Sequence, residues 1–453
     1  MQKPTGVVFF PAFDWSISPT HPERQERLLY TRDQLFEEGI MDLPQIKEYP
    51  AQTTGLEHIY RTHICVPDVP AQITDAHLIA VGSMLRVADA FFQGEVKNGF
   101  IMVRPPGHHA MWVSHGNRGF CNINNEAILV DYLRCKYKVK KIAIIDTDVH
   151  HGDGTQDIFW HDPDILCISF HQDGRTLYPG TGFLHDLGGP NAYAKTINIP
   201  LLPGTTDREV LMVLDNLILP ILEDFQPDLV INSAGQDNHY TDPLASLNMT
   251  AGGYALLNEK LVPDLAVLEG GYAVETALPY VNTAIILAMA GLDYSFVREP
   301  NLPVFKKDPE LLNYTKDLIS QLLQIWKGRK KADLTHIFGR EKIYKRQKNI
   351  YYDTDGIREQ QEEQVYRCTD CSGYVKVVSH ALQGNFLHHV FAVRTPFHAC
   401  PRCRELAAED FNRTVEEGRF TQYCWQDQAG SKFHLVDGNS VQVIDIGVKN
   451  ETD

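Results

Sequence analysis

Ile144-Ile145-Asp146-Thr147-Asp148-Val149-His150-His151-Gly152-Asp153-Gly154 is the stretch from which the fold can be read. The run leading into it, residues 139–145, is apolar apart from two lysines, as in a parallel strand buried on both faces. Asp146, Asp148 and His150 prolong it at a spacing of two, and an extended backbone would project all three from one side. Two carboxylates and an imidazole converging beyond a strand end make a half-site for a divalent ion, and Asp and His are ordinary zinc ligands. Gly152 and Gly154 would let the backbone turn sharply beneath that site. Polar residues also gather in strand-to-helix turns for local reasons, but three Asp or His in this register, with His151 and Asp153 beside them, ask for more than a cap.

Outward from this strand the chain alternates strand and helix. On the N-terminal side, residues 7–13 read as a first strand and residues 21–28 open a helix with Pro22 at its start. Residues 57–63 are helix-like, and residues 66–70 form a surface loop. Residues 75–92 make a long amphipathic helix, and residues 99–103 a strand running into Arg104-Pro105-Pro106-Gly107-His108-His109. On the C-terminal side, residues 164–171, 194–199, 227–234 and 265–269 read as strands, and residues 207–225 and 277–292 as helices. This alternation predicts a doubly wound, mostly parallel α/β sheet. Ligands of such sheets sit off the carboxyl ends of the strands. His108 and His109, Asp146 to Asp153, Asp237 and Tyr272 all fall at such ends.

Composition narrows the partners. A chain of 453 residues can bury a large core and carry an appendage, and its 43% hydrophobic and 22% charged content is that of a globular protein. A formal net charge of −16 argues against direct nucleic-acid binding, which needs a basic surface. Residues 1–11 are too short and Pro-interrupted for a signal sequence, and the longest apolar run, residues 284–292, falls short of the roughly 20 residues a membrane span needs. Nine cysteines then suggest reduced thiols or metal ligands, and the expected compartment is the cytoplasm.

Three segments follow: a main α/β domain over 1–298 that carries the candidate site, a helical, basic linker over 299–350, and a small α+β domain over 351–453. Residues 308–326 read as an amphipathic helix, and the cations between Lys327 and Lys348 as a solvated linker face and not a dock for an acidic partner. Cys368, Cys371, Cys400 and Cys403 form two Cys-x₂-Cys knuckles. Their 28-residue gap exceeds the common finger spacing, yet paired knuckles have few other uses, so a closed, non-catalytic structural zinc is expected there. That appendage would cover the site off the strand ends, bind a partner or mediate assembly, and the oligomeric state is left open.

Six ordered motifs carry a resemblance over roughly residues 5–295: residues 104–109, Gly119-Phe120-Cys121-Asn122, residues 145–154, Tyr178-Pro179-Gly180-Thr181-Gly182, Ser233 to Asp237 with Asp242 to Thr250, and Glu269-Gly270-Gly271-Tyr272. They resemble the histone deacetylase superfamily, which also holds acetylpolyamine amidohydrolases and acetoin-utilisation proteins. Leu244 and the Arg-Pro-Pro-Gly-His-His wording are more like class II than class I.

The resemblance implies a deacetylase-like fold and a catalytic Zn²⁺ on Asp148, His150 and Asp237, with a fourth position for water or substrate. Charge and ligand hardness alone would also admit Fe²⁺. It implies that His108 and His109 are the tandem histidines, held by Asp146 and Asp153, with His109 as general base and His108 as electrostatic support. Tyr272 would donate to the scissile carbonyl, where weak relatives carry His. Phe120 and Tyr178 would wall a tunnel with Gly119 and Leu244 alongside, and Asp68 would be a rim carboxylate. One K⁺ is expected on carbonyls near Asp146, Asp148 and His150, with Ser169 and Phe170; at a second, outer site Lys195 would replace the ion.

The implied reaction is hydrolysis of acetyl or another short acyl group from a lysine side chain of a peptide or protein. A small acylated amine is the rival substrate, favoured by an acidic rim with a blocking element; an open rim with Asp68 in place would favour peptides. A rival of another class is a non-catalytic acyl-lysine scaffold, and a two-metal phosphoesterase would need ligands for a second divalent ion. Cys121 and Cys167 read as small buried hydrophobes, and His161, His171, His185 and His239 as satisfied loop histidines.

Overall fold

The computed structural model describes residues 3–438 and 440–448; the outermost residues of the first and last expected domains, 1–2 and 449–453, lie outside these. Before residue 300 the strands are β1 (Thr5–Phe10), β2 (Ile46–Tyr49), β3 (Ile64–Cys65), β4 (Asn98–Val103), β5 (Val113–Ser114), β6 (Ile142–Asp146), β7 (Ile165–Gln172), β8 (Thr196–Leu201), β9 (Leu229–Ala234) and β10 (Leu265–Leu268). Eight of them form one sheet in the order β2-β1-β4-β10-β9-β6-β7-β8, every neighbouring pair parallel. Every residue of β4, β6 and β10 is buried, which is why they read as unbroken apolar runs. Helices cover both faces, giving one core cluster on each side of the sheet.

Strand order places the chemistry. β4, β10, β9 and β6 are consecutive neighbours at the centre of the sheet, and their carboxyl ends lead into residues 104–109, 269–272, 235–237 and 146–153. Motifs far apart in sequence therefore meet at one edge.

Three local expectations need correction. Residues 21–28 are turns, and the helix begins at Leu29. The buried Glu23 carboxylate there accepts from Arg104 Nε at 2.6 Å and Arg27 Nη1 at 2.8 Å, and this ion cluster overrides local helical preference. β6 stops at Asp146, so extended pleating does not align Asp148 and His150. The amide of Asp148 donates to Asp146 Oδ1 (3.0 Å) and that of His150 to Asp148 Oδ1 (2.8 Å), side-chain turns that bring every second residue inward. Gly152 and Gly154 serve space more than turning. A Cβ on Gly152 would lie 2.0 Å from Asp146 Oδ2, and one on Gly154 2.4 Å from the Ala110 carbonyl.

After the helix Pro309–Gly328, capped by Asp308, a second sheet holds β11 (Ile343–Tyr352), β12 (Ile357–Tyr366), β13 (Tyr374–Gln383), β14 (Phe386–Thr395), β15 (Gln422–Asp427), β16 (Lys432–Asp437) and β17 (Ser440–Asp445) in sequential order. All pairs are antiparallel except β14–β15, which the helix Pro401–Glu417 joins as a parallel crossover. β11 begins at Ile343, inside the expected linker. The basic stretch is not wholly solvated either: Lys348 Nζ ion-pairs with Asp157 Oδ1 at 2.5 Å and Glu363 Oε2 at 3.3 Å.

One face of this sheet joins a core of the first domain. Val365, Val377, Val390, Ala392 and Phe433 belong to the same buried cluster as Tyr60, Trp112 and Ile128. The other face packs the helix Pro401–Glu417 through Phe391, Val393, Cys403 and Phe411.

Candidate active site

Ligand atoms of Asp148, His150 and Asp237 lie within 4.8 Å of one another, and all three residues are buried. His150 Nδ1 stands 3.1 Å from Asp148 Oδ1 and 3.0 Å from Asp237 Oδ2. Donors spaced on the order of 3.3 Å would edge a tetrahedron with zinc-like bond lengths, so the donor set fits a small divalent cation. Two buried carboxylates this close also want a cation on electrostatic grounds. Burial opposes ionisation of Asp148, but His108 and His150 hold its carboxyl below the usual range; burial and Asp148 push Asp237 up.

The tandem histidines face this cluster. His108 Nδ1 pairs with Asp146 Oδ2 at 3.0 Å and its Nε2 is 3.8 Å from Asp148 Oδ1. His109 Nδ1 pairs with Asp153 Oδ1 at 2.8 Å. Burial lowers the pKa of both rings, but Asp148 and Asp146 overcome it for His108, which ends well above the ordinary value. At His109 burial, aided by the His108 charge, prevails and takes it to about 3. The two adjacent imidazoles are thus shifted in opposite directions. Burial keeps the Tyr272 phenol protonated, hence a donor.

These groups border a cavity of about 260 Å³ lined by His109, His150 and Tyr272 together with Gly119, Phe120, Leu177, Tyr178 and Leu244, and by Asp353 from the tip of the β11–β12 hairpin. Gly119 (φ 51°) and Phe120 (φ 71°) are both left-handed, a strained pair for a non-glycine, and the bend carries the phenyl ring into the cavity wall. Phe120 meets Tyr272 edge-on at 5.5 Å and Tyr178 meets His109 edge-on at 5.2 Å.

Several positioning residues were not singled out from sequence. Asp242 accepts from Tyr272 N (2.7 Å) and Leu244 N (2.9 Å), fixing two lining residues at once. Glu269 Oε2 accepts from Gly107 N (2.8 Å) and His108 N (3.1 Å). Arg27 donates to the carbonyls of Gly271 (2.7 Å) and Glu269, and its guanidinium lies 4.9 Å from the Tyr272 ring centre. Arg118 donates to Asp153 Oδ2 from Nε at 3.1 Å and to the Tyr351 carbonyl. Asp242 and Glu269 lie within quoted motifs and could have been found there; Arg27 carried only its i,i+4 spacing from Glu23.

Elsewhere, Asp68 Oδ1 accepts from Ala71 N at 2.9 Å, capping the short helix Val69–Gln72, and the carboxylate that lines the cavity is Asp353. β6–β7 pairing sets Asp146 beside Ser169, whose hydroxyl bonds His171 Nδ1 (2.8 Å), and Phe170 is buried next to it. Lys195 Nζ lies over the rings of Phe225 (4.5 Å) and Trp326 (5.6 Å). His161, His171 and His239 are bonded to Glu363, the Gly182 carbonyl and Glu299 respectively, and His185 is exposed. Burial raises the Cys121 and Cys167 thiols, which disfavours nucleophilic roles. The Sγ atoms of Cys368, Cys371, Cys400 and Cys403 lie within 4.8 Å of one another, with Cys368 and Cys400 3.9 Å apart. That spacing is far too long for a disulfide and close to a tetrahedral zinc–thiolate edge, on the order of 3.8 Å.

A family model described as the histone deacetylase domain matches residues 45–289. The chain is similar to a probable deacetylase of Archaeoglobus fulgidus, 43% identical over 69% of this chain and 92% of that protein. It also matches a histone deacetylase-like amidohydrolase of Pseudomonas aeruginosa, 33% identical over 49% of this chain and 60% of that one. Among solved structures, the crystal structure of the HDA15 HD domain superposes with a TM-score of 0.63 and 28% identity, covering 75% of this chain and 99% of that one.

Proposed function

Because this chain belongs to the histone deacetylase family, we propose that it hydrolyses the amide of a short acyl group, acetyl foremost, on a primary amine such as a lysine side chain. The observation that carries this reading is the convergence on one cavity of His109, His150 and Tyr272, with Asp148, Asp237 and His108 directly behind them. Asp148, His150 and Asp237 would hold Zn²⁺, and their two negative charges would offset those of the ion. When bound, the ion supplies Lewis acidity toward the amide carbonyl and toward water.

The protein's own groups do the rest. Asp153 holds the His109 ring by Nδ1, so Nε2 is the atom that takes a proton from the attacking water and returns it to the departing amine. His108, fixed by Asp146, places positive charge beside the developing oxyanion. The Tyr272 hydroxyl donates to the same oxygen. Phe120 and Tyr178 seat the aliphatic stem and exclude water, with Gly119 and Leu244 completing the wall.

Carbonyls at Asp146, Asp148, His150 and Phe170, with Ser169, would seat one K⁺ behind the site. The four-cysteine cluster would hold a second, structural Zn²⁺; a reducing compartment such as the cytoplasm suits those thiolates.

Hydrolysis of an acetyl-lysine peptide, with and without a chelator, tests the reading. Activity should vanish on chelation and return with zinc. His109→Ala should lower kcat by about 10²–10⁴, and Tyr272→Phe by about 10²–10³. Undiminished turnover in His109→Ala and Tyr272→Phe would sink the assignment.

A further inference from the structure

Glu126 is a fully buried carboxyl group with no part in the reaction above, and it lies against a second one, Glu269. Glu126 stands in the first turn of the helix Asn125–Tyr137, and Glu269 follows β10. Glu269 Oε2 accepts from Gly107 N (2.8 Å) and His108 N (3.1 Å). Its Oε1 and both oxygens of Glu126 are buried and find no N–H or hydroxyl donor among the described residues. The two side chains nevertheless hydrogen-bond each other. Two carboxylates cannot do so, because neither owns a donor, but a carboxylic acid and a carboxylate can.

No cation is spent on the pair. Arg27 and Arg104 ion-pair with Glu23, and Arg27 reaches Glu269 only at its backbone carbonyl. The other ionisable groups that face the two carboxyls are His108 after β4, Asp146 at the end of β6 and the Cys121 thiol. Burial, the Glu269 charge and Asp146 push the Glu126 carboxyl well above its usual range, and its own backbone amide offsets only part of this. Burial raises Glu269 too, but His108, Glu126 and the two loop amides work against it. The proton therefore belongs to Glu126.

We propose that Glu126 and Glu269 hold one proton between them, and that Glu126 is a positioning residue for the histidine loop. Its O–H fixes Glu269 Oε1, which leaves Oε2 aimed at the amides of Gly107 and His108. The same helix start holds the loop twice more. Asn125 Nδ2 donates to the Pro105 carbonyl (3.1 Å), and a Cβ on Gly107 would lie 2.5 Å from Asn125 N. Helix, loop and strand end thus meet through one hydrogen atom, and that seam sets where the two imidazoles stand. The effect on turnover rests on the amide-hydrolase reading above; the shared proton does not.

Two substitutions test this. Glu126→Gln keeps the shape and supplies a donor at every pH, whereas Glu126→Met keeps the length and supplies none. Urea melts of the full-length, zinc-supplemented protein give the first readout. An acid whose pKa is raised by folding contributes fully below about 4.5 and loses that contribution as pH rises toward the folded value. The wild-type folding constant should therefore fall, relative to Glu126→Gln, by about tenfold per pH unit over about pH 5 to 7. Parallel pH dependences would overturn the proposal. Turnover of an acetyl-lysine peptide gives the second readout: Glu126→Met should lower kcat about tenfold or more with KM nearly constant, and Glu126→Gln should stay within about threefold of wild type. Undiminished kcat in Glu126→Met, or an equal loss in both variants, overturns the positioning role. Should Glu126→Met not fold, Glu126→Gln still decides, since a tenfold loss of kcat there overturns that role as well. An inactive wild type would end the amide-hydrolase reading, while the melts would still decide the shared proton.

Discussion

Arg118 shows how far His109, the proposed general base, depends on a residue outside the cavity lining. Its guanidinium holds Asp153 on one side and the Tyr351 carbonyl on the other, while Asp153 holds His109. Burial works against ionisation of Asp153, but Arg118 and His109 keep it deprotonated far below the ordinary range, so the ring always faces an acceptor at Nδ1. Asp153→Asn removes the charge with little change of shape. It should lower kcat by about 10–100-fold with KM nearly constant, measured on whichever amide the wild type turns over best. A rise in KM alone would mean that Asp153 shapes the cavity and does not govern the imidazole.

At the scale of elements, the centre of the sheet was legible because parallel strands buried on both faces leave an unmistakable apolar run, and their ends carry polar residues that no core would tolerate unpaired. β4, β6, β9 and β10 could be placed this way, and with them His108, Asp146, Asp237 and Tyr272. What local pattern could not convey was any contact decided across the molecule. Residues 21–28 have a helix-opening sequence but fold as turns because Glu23 is claimed by Arg104, 81 residues away. Asp353 joins Gly119 across 234 residues, and nothing in Tyr352-Asp353-Thr354-Asp355-Gly356 distinguishes it from an ordinary hairpin turn.

The knuckles of residues 368–371 and 400–403 were legible as a pair. They stand at the start of β13 and at the start of the crossover helix, so an ion between them would tie helix to sheet. Cys400→Ser should lower bound zinc by one ion per chain, by elemental analysis, and reduce Tm. Unchanged metal content would rule out the structural ion.

Across the whole molecule, the two sheets share a core and a buried charge network. Arg394 donates to the carbonyls of Ile158 (3.0 Å) and Thr62 (3.1 Å) and stacks 4.0 Å from Trp112, while Arg61 donates to the Ile446 carbonyl (2.7 Å). Glu363 faces Lys348 and His161 at the same junction. Burial resists its charge, yet Lys348 and His161 hold its pKa well below 4.5 in the folded state. Glu363 therefore contributes stability throughout the range above that value and loses it only as pH falls through the lower, folded pKa. Glu363→Gln should cost about 3 kcal/mol near neutrality, in urea melts, and the gap to wild type should close only in strong acid. A gap unchanged by acidification would mean that lost packing, not charge, is responsible.

The long reach of Asp353 has a consequence for biosynthesis. A nascent chain exposes its first 300 residues to the cell before the β11–β12 hairpin has left the ribosome, and domains tend to fold as they emerge. For that interval the hydrophobic face around Tyr60 and Trp112 lacks its cover, and the Gly119–Phe120 bend lacks its brace. The pocket ripens last, so a prematurely terminated chain would be both sticky and incompetent, and an apprentice hydrolase could not begin work before its final third had arrived.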